Sequence, residues 1–174
     1  MSKGRELRCY DYVNRPYSQV RDALSTSALA IFQSATKAAA ARAQSVASAL
    51  HIDIGGFEVG ADIRISVHQI AENSDDPLAI PTTRLQLEWQ SAVMPSMFPL
   101  MKADLYIYAF TPTETQLDFW GFYEPPLGAL GKVVNTIVGH RIAEVSVHHF
   151  VNDVAERLRR TLSAPDHPAE AIQE

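Results

Sequence analysis

His140 is the ionisable residue whose surroundings best suit chemistry. On a helix it lies on the same side as Thr136, Ala143 and Val147, so it would face an apolar interior. An imidazole there could orient a ligand carbonyl or move a proton near neutral pH, and Tyr123 could serve the same purpose. The alternative is a histidine whose hydrogen bonds are already satisfied at a helix end.

Other residue patterns give little support for catalysis. His149 and Asp153 are four residues apart, a spacing that can hold a metal, but no further ligands converge on them in sequence. Cys9 is the single cysteine and has no histidine near it, and no G-x-S-x-G turn is present. The glycine-rich segment Gly55 to Gly60 leads into a strand and not a helix, which favours a turn or bulge over a phosphate loop. We therefore expect no catalytic residue, metal or cofactor, and consider an enzyme less favoured than a binding protein.

Composition limits the class of protein. The 174 residues suit one domain, and the net charge of -5 argues against nucleic acid as a partner. Met1 to Glu6 lacks the apolar stretch of a signal peptide, and no apolar run approaches the ~18 residues of a membrane span. One cysteine excludes an internal disulfide. These features predict a cytoplasmic protein without integral membrane association.

The N-terminal part predicts a strand followed by two helices. Leu7 to Val13 has the bulky side chains of a strand, and Pro16 suits the first turn of a short helix to about Leu24. After Ser25 to Ser27, an Ala-rich segment to Leu50 has apolar residues at helical spacing, which predicts a second, longer helix. The alternative for this segment is a flexible low-complexity linker.

The pattern then changes to the alternation of strands. We predict a run of at least five further strands, mostly antiparallel, with a hairpin at Thr111 to Glu114 between the last two: Ile52 to Ile54, Ala61 to His68, Arg84 to Trp89, Met101 to Phe110 and Thr115 to Tyr123. A Pro/Gly turn leads into one long amphipathic helix, and residues 163–174 are expected to be disordered. Consecutive strands without crossover helices indicate an antiparallel sheet, so the predicted fold class is α+β with two layers over residues 1–162.

This order of elements resembles the START-like (SRPBCC) helix-grip superfamily, which includes polyketide cyclases, aromatases and lipid-transfer domains. The resemblance covers Arg5 to Leu162 and is carried by these residues: Val13 to Pro16 followed by Val20 and Leu24, Trp89, Phe98-Pro99, Met101 to Leu105, Leu117 to Tyr123, and Pro125 to Gly128. It implies a curved antiparallel sheet wrapped around the long C-terminal helix, enclosing an apolar cavity. The long Ala-rich helix departs from the compact members of the superfamily.

Alternation places one set of side chains between the sheet and the last helix. The cavity candidates are Leu87, Trp89, Leu105, Ile107, Leu117, Phe119, Gly121 and Tyr123 from the strands, with His140, Ala143 and Val147 from the helix. The alternative is that they fill a solid core, although Gly121 leaves space in mid-strand. We expect binding of a hydrophobic or aromatic small molecule, lipid- or polyketide-like. The other hypotheses are a cyclase or dehydratase that uses a polar residue in the cavity, and a structural partner.

The opposite face of the sheet is predicted to be aromatic. Trp120 and Phe122 share that face with Asp118, and Tyr106, Tyr108 and Phe110 extend it on the neighbouring strand. A second apolar line on the last helix consists of Val138, Ile142 and Val145. Aromatic side chains in such number suggest a covered surface. Either the Ala-rich helix or a second subunit could cover it, so a homodimer is possible.

Overall fold

The computed structural model describes residues 5–49, 63–72, 79–91, 101–123 and 136–163. The elements are β1 (Arg5–Val13), α1 (Tyr17–Ala49), β2 (Ile63–Glu72), β3 (Thr82–Ser91), β4 (Met101–Thr111), β5 (Glu114–Tyr123) and α2 (Thr136–Ser163). The strands form one antiparallel sheet in the order β1-β5-β4-β3-β2. The predicted α+β class, with a long C-terminal helix packed on an antiparallel sheet, is confirmed.

Several predicted features lie outside the described residues. They are the strand Ile52 to Ile54, the segment Gly55 to Gly60, the turn Pro125 to Gly128 and the tail beyond Ser163. The hairpin between the last two strands is confirmed, since Thr111 pairs with Glu114.

The two predicted N-terminal helices are one helix, and the predicted break at Ser25 to Ser27 is wrong. The Ser25 hydroxyl donates to the Arg21 carbonyl at 2.9 Å, and the Thr26 hydroxyl donates to the Asp22 carbonyl at 3.1 Å. Both bonds reach back one helical turn, so these residues satisfy their polar groups inside the helix. No proline or glycine interrupts α1. Ser and Thr favour a helix end only where their hydroxyls cap it, and here they do not.

The sheet buries one face under both helices. Successive side chains of a strand point to opposite faces of the sheet. Leu7, Cys9 and Val13 of β1 are therefore buried on the inner face, together with the inner residues of the other strands. α1 and α2 pack against each other and onto this face, α1 beside β2 and α2 beside β1. The Ala-rich helix therefore covers the inner face, and the aromatic outer face lies on the other side.

Polar contacts fix the direction of α2 along β1. Asp11 of β1 accepts hydrogen bonds from Asn152 at 3.1 Å and from Arg159 at 2.9 Å. Arg15 donates to the Leu162 carbonyl at 3.2 Å and to the Ser163 hydroxyl at 2.9 Å. Along the chain, Asp11 comes before Arg15, and the residue that Asp11 contacts, Asn152, comes before the residue that Arg15 contacts, Leu162. The helix and the strand therefore run in the same direction.

Candidate functional site

Four aromatic rings form the centre of the packing between the sheet and the helices. Phe150 of α2 lies 5.2 Å from Trp89, 6.2 Å from Phe119 and 6.0 Å from Phe32 of α1, centroid to centroid. Trp89 and Phe119 are 6.1 Å apart. These separations are those of rings in direct contact. The middle of the inner face is therefore closely packed by the protein's own side chains.

The cavity candidates on the strands, and Ala143 and Val147 on α2, are buried. Five have at most 1% of their surface exposed and belong to the packed core: Leu87, Leu105, Ile107, Leu117 and Phe119. Val147 is similarly buried. Trp89, Tyr123 and Ala143 keep 6%, 9% and 8% of their surface exposed. All of these side chains are therefore buried in the core, with Trp89, Tyr123 and Ala143 slightly less completely so than the rest.

Gly121 does not leave an empty space above the strand. A methyl group at its Cα would lie 2.8 Å from Cε1 of Phe119 and 3.1 Å from the Cβ of Ala103. The ring of Phe119 occupies the position that a side chain at residue 121 would take. The glycine therefore accommodates a neighbouring aromatic ring of the same strand.

His140 lies toward the Tyr123 end of the sheet. It precedes Asn152 by twelve residues, about 18 Å along a helix, and Arg5 precedes Asp11 by six, about 20 Å along a strand. Since Asn152 contacts Asp11 and the two elements run in the same direction, His140 is near the end where Arg5 pairs with Tyr123.

The ring of His140 carries an unusual polar atom. Its Nδ1 is buried and has no hydrogen-bond partner among the residues that the structure describes. Buried polar atoms are nearly always paired, because an unpaired one costs free energy. This nitrogen is therefore a candidate contact for a ligand.

The other polar groups at this end of the sheet differ in whether they already have a hydrogen-bond partner. The Trp89 indole donates to the Thr36 hydroxyl at 2.9 Å, so its N–H is already used. Burial raises the pKa of the Tyr123 phenol, which keeps it protonated and able to donate at neutral pH. Thr36 was missed by the sequence reasoning, although it follows the buried Phe32 by one helical turn.

A separate groove lies between α1 and strands β2, β3 and β4, and one of the cavity residues predicted from the sequence, Ile107, lines it. Its volume is about 300 Å³, and it is lined by Arg21, Leu24, Ser25, Thr26, Ala28, Leu29, Val67, Gln69, Thr83, Leu85 and Ile107. Ile107 forms its floor without exposed surface. Its volume is at the lower limit of small-molecule sites, and it is open to solvent.

The remaining sequence candidates do not form a reactive centre. Asp153 is paired with Arg157 at 2.5 Å, and within the described ranges no three His, Cys, Asp or Glu side chains are grouped to hold a metal. Burial raises the pKa of the Cys9 thiol to about 12, so it is protonated at neutral pH. Among the described helices, none has the length and apolar character needed to cross a membrane.

Comparison with known proteins gives structural likeness only. No family model matches the sequence, and no curated protein matches it. The structure is similar to the Zhui aromatase/cyclase from Streptomyces sp. R1128, with 10% identity, a TM-score of 0.46, and coverage of 92% of this chain and 96% of that one. It is also similar to TTHA0849 from Thermus thermophilus, with 12% identity, a TM-score of 0.44, and coverage of 91% and 100%. For Ara h 8.0201 the identity is 6% and the TM-score 0.41, over 88% and 97% of the chains. At these values the likeness carries no argument about function.

Proposed function

We propose that this protein binds a hydrophobic or aromatic small molecule, lipid- or polyketide-like, between the sheet and α2, without catalysing a reaction. The observation that carries the proposal is the buried Nδ1 of His140, which has no hydrogen-bond partner among the described residues and lies on the same side of α2 as the buried Ala143 and Val147. The binding site of the proposal consists of Trp89, Tyr123, His140 and Ala143. A cytoplasmic location belongs to the same proposal and rests on the sequence alone.

The chemistry of these residues defines the ligand. Apolar walls favour an aliphatic or aromatic body, at roughly 25 cal/mol per Å² of apolar surface removed from water. One oriented polar group then selects a ligand with a single hydrogen-bonding oxygen near its end. His140 would bind that oxygen, since the Trp89 N–H is already bonded to Thr36. The tightly packed Phe119 and Leu117 would form the floor below the ligand.

Thermal shift and native mass spectrometry of the full chain test the proposal, with fatty acids and aromatic polyketide mimics as probes. Ala143→Phe should fill the site and abolish binding, whereas Glu144→Phe, at the exposed neighbouring position, should bind as the native protein does. If no probe binds the native protein, or if both variants bind equally, the proposal fails.

A second pair of variants tests the role assigned to His140. His140→Phe removes the polar contact and should weaken binding of oxygen-bearing probes about 10-fold, the equivalent of one hydrogen bond. His148→Phe changes an exposed histidine of the same helix and should leave affinity unchanged. Equal affinity in the two variants would exclude His140 from the contact.

The same nitrogen favours one alternative function, an enzyme of the cyclase or dehydratase type. In that case His140 would move a proton while the site holds a polyketide-like substrate folded. Incubation of the native protein and of His140→Ala with polyketide mimics distinguishes the two functions. Product formation by the native protein that is lost in the variant supports the enzyme, and binding without product supports the carrier.

A further inference from the structure

The outer face of the sheet presents an aromatic surface to solvent. Four of its rings are between 41% and 62% exposed, and three tyrosines beside them are half-buried. We call this set the aromatic face: Tyr10, Tyr12, Tyr106, Tyr108, Phe110, Trp120 and Phe122. It spans β1, β5 and β4, which are neighbours in the sheet. Exposed apolar surface of this extent marks an interaction site.

The cations around the rings are each paired with a carboxylate. Three pairs join them within the sheet: Arg8 with Asp118 at 3.1 Å, Arg84 with Asp104 at 2.7 Å, and Lys102 with Glu88 at 3.8 Å. Each pair is neutral, whereas the chain as a whole has a net charge of -5. Besides these pairs, alternation places Glu6 and Glu114 on this face, so its net charge is small and would oppose the meeting of two copies only weakly.

The rings are tilted and do not form a flat stacking platform. Tyr10 and Tyr12 meet at 70°, Tyr12 and Phe110 at 55°, and Trp120 and Phe122 at 42°. Bases of single-stranded nucleic acid stack on ring faces inside a positively charged groove, and the cations of this face are paired. Tilted rings offer both edges and faces, which suits packing against other aromatic side chains.

The size of the outer face matches an interface between proteins. The whole outer face, of which the aromatic face is the part on β1, β5 and β4, has four strand spacings of about 4.8 Å and a strand length of about 36 Å, which give an area on the order of 700 Å². A standard interface buries about 800 Å² on each partner, with aromatic residues and arginine enriched at its centre. From the paired cations, the ring geometry and the area of the whole outer face we infer that the aromatic face binds a second copy of this chain, sheet against sheet.

Light scattering and sedimentation equilibrium of the full chain, over a wide concentration range, test this inference. The native protein should be a dimer at high concentration. Trp120→Glu and Phe110→Glu should each raise the dimer dissociation constant about 30-fold or more, as loss of an interface hot spot does. Leu29→Glu is the matched control, because it places the same charge on an equally exposed apolar residue of α1 and should leave the dimer intact.

Quenching of tryptophan fluorescence supplies a test that needs no variant. Trp89 is buried and Trp120 is 41% exposed, so iodide quenching of the native protein reports on Trp120. Quenching should fall as the protein concentration rises through the dimer transition. A native protein that stays monomeric, a dimer that Trp120→Glu leaves unchanged, or quenching independent of concentration would each overturn the inference.

Discussion

The indole of Trp89 donates a hydrogen bond to the hydroxyl of Thr36 at 2.9 Å, inside the core and between a strand and α1. Both residues are buried, so neither group has water as a substitute partner. The bond sets the position of α1 across β3 and fixes the ring that contacts Phe150.

Thr36→Val keeps the shape of the side chain and removes the acceptor. The indole N–H would then be buried and unpaired, which costs about 1–3 kcal/mol of unfolding free energy. Urea denaturation followed by far-UV circular dichroism measures the difference. Thr26→Val, on the exposed side of the same helix, should change stability by less than about 0.5 kcal/mol. Equal losses in the two variants would mean that the buried bond contributes nothing of its own.

Gly121→Ala should destabilise the fold because the new methyl group would overlap the ring of Phe119. The 2.8 Å separation is too short for two carbon atoms, so the ring or the strand must move, at about 1–3 kcal/mol. Phe119→Leu in the same chain should recover part of the loss, and a double-mutant cycle measures that coupling. If Gly121→Ala were neutral, the space above the glycine would be open to a ligand after all.

Sequence patterns predicted the inner face of the sheet, but not how the space above that face is filled. Alternation in Leu117, Phe119 and Tyr123 is a local property, and it identified the inner face correctly because only one register buries all three. Whether the space above Gly121 is filled depends on the rotamer of Phe119, which no local sequence pattern predicts. The hydroxyls of Ser25 and Thr26 could either cap the end of one helix or bond within a continuous one. The same sequence is compatible with both arrangements, so it could not predict that α1 continues through these residues.

Cys9 should make stability fall at alkaline pH. Burial is the main reason that its pKa rises from an ordinary value near 9 to about 12 in the folded protein. Above about pH 9 the unfolded chain therefore loses a proton that the folded one retains, so unfolding becomes more favourable until the folded thiol also ionises. Between about pH 7 and pH 10 this contributes a loss of about 1.4 kcal/mol.

Cys9→Ala removes the thiol. Comparing this variant with the native protein therefore separates the effect of Cys9 from that of the tyrosines and lysines, which titrate in the same pH range. The variant should be less stable than the native protein at pH 7, because it creates a cavity, and the difference should shrink by about 1.4 kcal/mol at pH 10. Denaturation curves at the two pH values measure both quantities. A difference that is the same at both would show that the thiol titrates alike in the folded and unfolded chains.

Arg159 and Arg160 are adjacent on α2 but should respond differently to the same substitution. Arg159 donates to the Asp11 carboxylate and to the Tyr12 carbonyl, which joins the helix to β1, an edge strand of the described sheet. Arg160 pairs with Glu156 on the exposed side of the helix. Arg159→Met should cost about 1–3 kcal/mol, because it leaves the Tyr12 carbonyl and Asp11 without this donor, whereas Arg160→Met should cost less than about 1 kcal/mol. Urea denaturation of the two variants measures both losses.

The contact made by Arg159 also has a consequence for association. The Tyr12 carbonyl belongs to an edge strand, and unpaired edge groups can pair with another chain. Arg159→Met should therefore form aggregates faster than Arg160→Met when both are held at the same fraction unfolded, as light scattering over time would show. If Arg159 protects the edge strand, the two variants should aggregate at different rates even when they are equally unfolded. Equal rates under that condition would mean that Arg159 contributes only to stability.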